Sequence, residues 1–233
     1  MKFQTFYLKE HTEMKDILIL IPIYNCYHLF KKMVPILKNY DFDILIIDDG
    51  SDFIPKNFLR NNGIKLLSHR KNKGKGAALK TGFKYAIEHN YKGVFTLDGD
   101  FQHHPDDISK FLSSPDSYDL LVGKRNFNKQ SMPIHRKLSN YLTSKILSSI
   151  LKVKIEDSQS GFRFIKTRLI KDIELKSDNF DLETELLVKA AHNNYKIGFI
   201  PIRTIYNNSS SNIKGFIDTF RFLKVVIKYG FKK

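Results

Sequence analysis

The sequence contains a single cysteine, Cys26, in 233 residues. One cysteine excludes an internal disulfide framework and any metal site built from several cysteines, and it predicts a reducing compartment. No apolar segment approaches the roughly 18 uninterrupted residues that a membrane-spanning helix needs. The first residues, MKFQTFYLKEHTEMKD, lack the apolar core of a signal peptide. Together these absences predict a cytoplasmic protein.

The chain also lacks any repetitive stretch or any stretch rich in glycine, serine or proline, so no linker or internal boundary is indicated. Its length and its hydrophobic fraction of 42% are enough for one large α/β domain with a buried core, and short for two independent domains. We therefore expect a single domain over residues 1–233, in which residues 214–233 form a basic amphipathic C-terminal helix.

Acidic residues are fewer than basic ones. The sequence has 39 lysines and arginines against 24 aspartates and glutamates, a formal net charge of +15. This excess suits nucleic acid, an anionic membrane surface or a phosphorylated substrate, and a solvated basic surface without a specific partner also accounts for it. The basic residues match none of the recognised nucleic-acid-binding motifs. We therefore expect no nucleic-acid partner and keep a nucleic-acid-binding module as an alternative.

Short β-branched apolar runs alternate with segments of helical period, which is the rhythm of successive βαβ units. Strands are predicted at residues 17–23, 43–48, 64–67, 93–97, 118–123, 161–166 and 196–206. Helices are predicted at about residues 28–39, 75–89, 134–151 and 182–194, and an amphipathic stretch covers residues 216–231. The fold class predicted is α/β with a mostly parallel sheet flanked by helices.

The predicted helix over residues 134–151 is amphipathic. Its apolar face carries Leu138, Tyr141, Leu142, Ile146 and Leu147. Its basic residues Arg136, Lys137 and Lys145 fall elsewhere on the helix.

Polar signatures follow the first four predicted strands. They are Pro22-Ile-Tyr24-Asn25, Asp48-Asp49-Gly50-Ser51, Gly74-Lys75-Gly76 and Asp98-Gly99-Asp100. In open parallel sheets the ligand crevice lies beyond the carboxyl ends of the strands. Four such loops at one edge therefore predict one site.

The fourth loop places Asp98 and Asp100 on either side of Gly99, directly after an apolar run. Two like charges this close repel each other unless a cation lies between them. The pattern predicts a hard divalent cation, Mg²⁺ or Mn²⁺, with Gln102 as a neutral oxygen ligand. Because magnesium keeps positions open for phosphate oxygens, the site suits a nucleoside diphosphate.

Other interpretations of this loop use the same residues. An EF-hand calcium loop would need glycine at His103 and glutamate at Ser109, so it is excluded. A phosphatase of the haloacid-dehalogenase kind also places Asp-x-Asp after an apolar strand, but usually with threonine where Gln102 stands, and it remains an alternative enzyme. A further alternative is that the two aspartates only cap the helix after Pro105.

The remaining loops have structural alternatives as well. Asp49 and its neighbours suit hydrogen bonds to a base or ribose, and also a turn. The glycines around Lys75 match neither established phosphate-loop pattern and could simply open a helix. We interpret His103 and His104 as neutral surface imidazoles and Cys26 as a small apolar residue without a catalytic role.

Taken in order, these signatures resemble family-two glycosyltransferases. Two later segments, Gly123-Lys-Arg125 and Asp157-Ser-Gln-Ser-Gly161-Phe-Arg163, belong to the same pattern. Within that family the chain is most similar to the polyprenyl- or dolichyl-phosphate sugar transferases, over about residues 16–225. The resemblance implies a GT-A fold, a nucleotide-sugar donor such as GDP-mannose or UDP-hexose, a polyprenyl-phosphate acceptor and inversion at the anomeric carbon.

The resemblance also implies residue roles. The nucleoside pocket would be lined by Pro22, Tyr24, Ile47 and Asp49. The metal on the diphosphate would be held by Asp98, Asp100 and Gln102, with Gly99 and Lys75 close to the donor. Arg125 and Arg136 would meet phosphate groups, a task that the planar guanidinium performs in a bidentate manner. For Arg136 a solvated helix face is the alternative.

The chain departs from the family pattern at two places. Many relatives have glutamate after Tyr-Asn, where this chain has Cys26. In the dolichyl branch an arginine is usual near the position of Asn207, and Lys214 would supply part of that charge.

The type of acceptor decides whether a general base is needed. A lipid phosphate is already an anion at neutral pH, whereas a sugar hydroxyl, as in polysaccharide or glycolipid synthesis, must lose its proton to a carboxylate. Candidate bases are Asp157, Asp181, Glu183 and Glu185. The last three also suit the acidic start of a helix.

The terminal stretch GFIDTFRFLKVVIKYGFKK combines apolar residues at helical spacing with lysines and an arginine. A helix of this kind suits peripheral contact with an anionic bilayer, where a lipid acceptor is presented. Packing against the domain is the alternative.

Overall fold

The computed structural model describes residues 16–125, 134–205, 222 and 224–230, with the side chains of residues 134–139 left out. The strands are β1 Ile17–Ile23, β2 Asp43–Asp48, β3 Lys65–Ser68, β4 Gly93–Thr96, β5 Leu120–Arg125, β6 Arg163–Lys166 and β7 Ile197–Ile202. The helices are α1 Tyr27–Leu37, α2 Lys56–Asn61, α3 Lys75–Glu88, α4 Ile108–Leu112, α5 Ile134–Leu151, α6 Thr167–Asp172 and α7 Leu182–His192. Residues 224–229 are also helical.

The strands form one sheet of seven, in the order β3-β2-β1-β4-β6-β5-β7. Strand β6 runs antiparallel to both of its neighbours, β4 and β5, and every other pairing is parallel. The predicted α/β fold with a mostly parallel sheet is therefore confirmed.

Strand β1 lies in the middle of the sheet and is buried along its whole length. Because side chains alternate across a strand, Leu18 and Leu20 pack on one face with α3 and α7, while Ile19 and Ile21 pack on the other with α1 and α4. A parallel strand covered on both faces is a continuous apolar run, which is why ILILIPI identified it in the sequence.

The predicted strands and the four longer helices are all present. β1, β2 and α5 have the predicted bounds, and the ends of the others differ by a few residues. Strand β5 begins two residues later than predicted and extends to Arg125, which places that arginine at a strand end. The short helices α2 and α6 were not predicted, and α4 was anticipated only as a helix after Pro105. These three helices contain five or six residues each, too few for a helical period to be recognised.

Helix α5 spans the predicted residues, but its predicted apolar face is not the buried one. Tyr141, Leu142 and Ile146 are exposed by 61%, 47% and 41%. The buried positions include Asn140 and Ser144, because this polar side of the helix bonds to the loop that follows it. Leu147 is buried as expected, and the side chain of Leu138 lies outside the described residues.

Most of the predicted C-terminal helix lies outside the described residues. In the described part, Phe222, Val225 and Val226 are buried in the core cluster that includes α7, while Ile227 is exposed. This part of the segment packs against the rest of the chain. Across residues 16–125, 134–205 and 222–230 as far as they are described, no helix has both the length and the apolar character needed to cross a bilayer.

Candidate active site

The loops after β1 and β2 are tied to each other at the carboxyl edge of the sheet. The side chain of Asn25 donates to the Asp52 carboxylate at 3.0 Å and accepts the Asp52 amide proton at 3.0 Å. The backbone N–H of Asn25 donates to Ser51 Oγ at 2.9 Å. Since β1 and β2 are parallel neighbours, these reciprocal bonds fix the two loops as one wall.

Asp49 is buried at this edge, where it organises the next loop. Its carboxylate accepts the amide protons of Lys73 and Gly74 at 3.0 and 2.8 Å and lies 2.6 Å from His69 Nδ1. His69 Nε2 in turn lies 2.9 Å from Thr81 Oγ1 on α3. Because Asp49 already accepts these hydrogen bonds, a bond from a nucleoside would be an additional one.

The other residues expected around the nucleoside differ in accessibility. Tyr24 is exposed by 42% beyond the end of β1. Pro22 is buried and pairs in register with Ile47, whose side chain lies wholly in the core. Of these three side chains, only that of Tyr24 is presented to solvent.

Two glycines leave room for close packing around Asp98: Gly161 lies against its carboxylate, and Gly99 lies against the end of β1. A Cβ atom at Gly161 would lie 2.4 Å from Asp98 Oδ2, and one at Gly99 would lie 2.7 Å from Ile23 Cγ2. Any larger residue at 161 would displace the carboxylate, and one at 99 would force the loop after β4 away from β1. The glycines thus allow this loop to pack tightly beneath the site.

Lys75 connects the third and fourth loops. Its Nζ lies 2.5 Å from Asp98 Oδ1 and 2.5 Å from Glu183 Oε1, in the first turn of α7. Burial favours the neutral lysine, but the two carboxylates outweigh it and raise the pKa of Lys75 above its usual range. Burial alone would likewise raise the pKa of Asp98, and Lys75 reverses this and lowers it. Both shifts favour the ionised forms of Lys75 and Asp98.

Asp100 has no such partner. Its carboxylate accepts the Gln102 amide proton at 3.0 Å, and within the described residues it forms no ion pair. Burial, together with the negative charge of Asp98, raises the pKa of Asp100 to about 6. A cation bound next to Asp100 would therefore stabilise its ionised carboxylate.

The donor set at this point fits a hard divalent ion. Two carboxylates and the Gln102 amide are oxygen ligands of the kind that Mg²⁺ and Mn²⁺ accept. No three His, Cys, Asp or Glu side chains of the described chain are grouped closely enough to hold a metal. Mg²⁺ is commonly bound by one or two carboxylates, with water or phosphate oxygens in its other positions.

Arg125 and Asp157 form a buried, bidentate ion pair. Asp157 is fully buried, and Arg125 Nε and Nη2 lie 2.8 and 3.0 Å from its two oxygens. The carboxylate also accepts from Asn140 of α5 at 3.1 Å and from the amides of Gln159 and Ser160. Burial alone would raise the pKa of Asp157, but Arg125 and these donors hold it below its ordinary value.

Arg163 is a second buried cation near the site, and nothing in the sequence assigned it a role. It is 1% exposed and donates to the carbonyls of Ser160, Glu183 and Ser158 at 2.8, 2.7 and 3.0 Å. It therefore joins the loop after α5 to the start of α7. A single arginine in an apolar strand gives no sequence signal for this bridge.

The expectation that His103 is a surface imidazole is wrong. His103 is 6% exposed, neither ring nitrogen has a hydrogen-bond partner among the described residues, and burial lowers its pKa to about 4. Its backbone forms an isolated antiparallel bridge with Thr204, just after β7. His104 is partly exposed and accepts the Asp106 amide proton at 3.4 Å, so it, rather than Asp98 or Asp100, caps the following turn.

Cys26 fits the role expected of it. Its sulfur would lie 3.1 Å from a Cβ at Gly99, and burial raises the pKa of its thiol to about 11. A thiol with so high a pKa is a poor nucleophile at neutral pH.

The candidate bases differ in how far they are already engaged. Glu185 is fully buried and accepts from Lys189 Nζ at 2.6 Å and from the amides of Lys176 and Ser177. Asp181 has one buried carboxylate oxygen without a partner in the described chain. The side chain of Arg136, together with Asn207 and Lys214, lies outside the described residues.

We expect Asp157→Asn to lower the free energy of unfolding by about 3 kcal/mol, because it turns an amide towards buried donors and leaves Arg125 without its counter-charge. The folded-state pKa of Asp157 is depressed, so its contribution is present above the ordinary carboxyl pKa and is lost as the pH falls through the folded value. Urea unfolding at pH 7 and in acid would measure this. Glu156→Gln, in a half-exposed pair with Lys124, is the control and should cost under about 1 kcal/mol. An unchanged stability for Asp157→Asn would contradict a positioning role.

Sequence comparisons agree with this geometry. The family model described as Glycosyl transferase family 2 matches residues 18–174. The chain is 33% identical over 221 residues to the UDP-N-acetylglucosamine–dolichyl-phosphate N-acetylglucosaminyltransferase of Methanococcus voltae, covering 84% of this chain and 88% of the relative. It is 23% identical over 199 residues to the undecaprenyl-phosphate mannosyltransferase of Micrococcus luteus, covering 80% and 82%.

The fold is shared with a solved structure. Glucosyl-3-phosphoglycerate synthase from Mycobacterium tuberculosis, in complex with Mn²⁺, uridine diphosphate and phosphoglyceric acid, superposes with a TM-score of 0.73 at 13% identity, covering 93% of this chain and 79% of that one. The expected GT-A fold is confirmed by such neighbours. The chain belongs to glycosyl transferase family 2 and is a glycosyltransferase related to the polyprenyl-phosphate sugar transferases.

Proposed function

We propose that the protein transfers a sugar, with inversion, from a nucleotide-diphosphate sugar to a polyprenyl phosphate, and that it needs Mg²⁺ or Mn²⁺. The observation that carries this proposal is the pair Asp98 and Asp100 at the carboxyl end of β4, next to the joined loops of β1 and β2. GDP-mannose and UDP-hexoses are the donor classes proposed. Relatives named for dolichyl and undecaprenyl phosphate support the acceptor.

In this proposal the acidic residues would bind the metal, and the basic residues would bind phosphate groups. Asp98, Asp100 and Gln102 would hold the metal, which as a Lewis acid would stabilise the charge that develops on the departing diphosphate. Tyr24 would lie against the base, and Asp49 would hold the loop that leads to Lys75. Arg125, oriented by Asp157, would face phosphate oxygens of the acceptor.

The state of the carboxylates favours an anionic acceptor. A hydroxyl acceptor needs a base with a free oxygen, but Asp157 accepts six hydrogen bonds, three of them from Arg125. Glu183 is paired with Lys75, and Glu185 with Lys189. A phosphate monoester already carries negative charge and needs none of them as a base.

A hydroxyl acceptor remains the second candidate because of Asp181. One of its oxygens is buried without a partner among the described residues, at the start of α7 close to Glu183. An acid in this position has the free lone pair that a general base requires.

Asp100→Asn is expected to reduce turnover by about 10²- to 10⁴-fold, because it removes one metal ligand while keeping the side-chain shape. The rate of sugar transfer with Mg²⁺ or Mn²⁺ would be measured through the nucleoside diphosphate that is released. A thermal melt of the variant would show whether it is folded. Asp106→Asn, a half-exposed acid on the following turn, is the matched control and should keep near-normal turnover. Normal turnover in Asp100→Asn would refute the metal assignment.

Acceptor tests should separate the two candidates. With the preferred nucleotide sugar, found by metal-dependent thermal stabilisation, we expect transfer to a short polyprenyl phosphate and none to simple glycosides. Asp181→Asn should leave lipid-phosphate transfer within about threefold of normal, since no base is needed. Transfer to glycosides that is abolished by Asp181→Asn would instead establish a hydroxyl acceptor.

Peripheral membrane contact is a further part of the proposal. The exposed face of α5 presents Tyr141, Leu142 and Ile146, and Lys145 Nζ lies 5.8 Å from the Tyr141 ring. Apolar side chains beside lysines suit the interface of an anionic bilayer. The same helix carries Asn140 on its buried side, where it bonds to Asp157, so one helix joins this exposed face to the ion pair that we place at the acceptor.

Replacing Tyr141, Leu142 and Ile146 by serine is expected to reduce binding to anionic liposomes by about fivefold or more, because apolar area is lost from the interface. Flotation of the full chain with phosphatidylglycerol vesicles would measure it. Leu67→Ser, at an exposed position on the edge strand β3, should have little effect. Equal flotation of the triple variant and the unmodified chain would argue against this face.

A further inference from the structure

Lys75 holds the carboxylate that the proposed metal would need. It is the first residue of α3, and its ammonium lies 2.5 Å from Asp98 and 2.5 Å from Glu183. The side chains of Lys75, Asp98 and Glu183 are 15%, 23% and 6% exposed, so water screens these charges weakly. The Phe180 ring, 5.6 Å from Nζ, covers the same ammonium.

The neighbouring carboxylate is left out of this arrangement. Asp100 forms no ion pair in the described chain, although it follows Asp98 by only two residues. The site thus holds one carboxylate neutralised by lysine and one that is not. A divalent ion bridging Asp98 and Asp100 would come directly against the Lys75 ammonium, and two cations so close in a partly buried site repel each other strongly.

We propose that Lys75 keeps Asp98 paired until the donor arrives, so that metal and donor diphosphate bind as a coupled pair. This inference rests on the proposed function, since it takes Asp98 and Asp100 as metal ligands. The diphosphate supplies the negative charge that lets Lys75 leave Asp98, and the Asp98 carboxylate then becomes available to the ion. Without a diphosphate, the ion has to compete with the lysine.

The surroundings of Lys75 allow such a change of partner. Glu183 is anchored in the first turn of α7 and remains a second counter-charge when Asp98 is released. The Asp98 carboxylate lies against Gly161, whose missing side chain leaves room for it. The backbone at Gly74 is fixed by Asp49. Only the lysine side chain has to move.

The test measures Mn²⁺ binding without nucleotide, by the loss of the free-ion signal in electron paramagnetic resonance. Lys75→Met should bind Mn²⁺ about five- to fiftyfold more tightly than the unmodified chain, because the competing ammonium is gone. The same variant should bind UDP or GDP more weakly at saturating Mn²⁺. A purely structural role for Lys75 predicts weaker binding of both.

Two further variants serve as controls. Lys75→Arg keeps the charge and should not tighten Mn²⁺ binding. Lys80→Met, on the same helix, removes a lysine that pairs with Asp178 at 2.6 Å instead and should behave like the unmodified chain. If Lys75→Met does not fold, Lys75→Gln removes the charge while keeping a hydrogen-bond donor, and it should also tighten Mn²⁺ binding.

The outcomes separate this inference from the proposed function. Unchanged or weaker Mn²⁺ binding in the folded Lys75→Met or Lys75→Gln variant would overturn the role of Lys75, provided that Asp100→Asn still abolishes binding. If Asp100→Asn leaves Mn²⁺ binding unaffected, the metal site of the proposed function is wrong, and the inference about Lys75 is wrong with it.

Discussion

The site depends on keeping several carboxylates ionised close together at the edge of the sheet. Asp98, Asp157 and Glu183 are all at least three-quarters buried, and each is matched by a cation or by several donors. Removing a cation from such a group would leave a buried charge without compensation, which costs more than the pair itself contributes. Lys75 and Arg125 are therefore needed to stabilise the folded site, apart from any role in binding substrate.

The fold explains why these charges meet. Strands β1, β2 and β4 are parallel, so the loops at their carboxyl ends open on the same side. The antiparallel strand β6 adds a segment from the opposite direction, and its approach brings Gly161 against Asp98. Strand β5 then carries Arg125 to the same edge. A site assembled in this way draws on loops up to about a hundred residues apart, as Lys75 and Glu183 show.

Sequence reasoning succeeded where a single strand carries the signal. The apolar run before Asp98 identified strand β4, because a buried strand has a distinctive composition. It failed where burial depends on a distant partner. His103 is polar and lies in a loop, so nothing local indicates that its backbone will pair with Thr204 or that its ring will be buried.

Helix α5 shows a second kind of failure. Its apolar residues predict a face, but the face that is buried contains Asn140, Thr143 and Ser144, which bond to Asp157 and Ser158. Periodicity reports where apolar residues recur and cannot weigh them against a buried carboxylate that must be satisfied. The polar side of α5 is buried because its side chains form hydrogen bonds to the buried Asp157 and Ser158.

The family assignment also removes two alternatives that composition left open. A haloacid-dehalogenase phosphatase shares the Asp-x-Asp pattern, but the match over residues 18–174 places the chain among glycosyltransferases. The net charge of +15 can then be explained by attraction of an anionic substrate instead of nucleic acid. Under the proposed function, a basic surface would raise the local concentration of an anionic donor and an anionic lipid acceptor, while the acids at the strand ends would repel a phosphate that comes without a counter-ion. The two effects together would favour a donor that binds together with its metal.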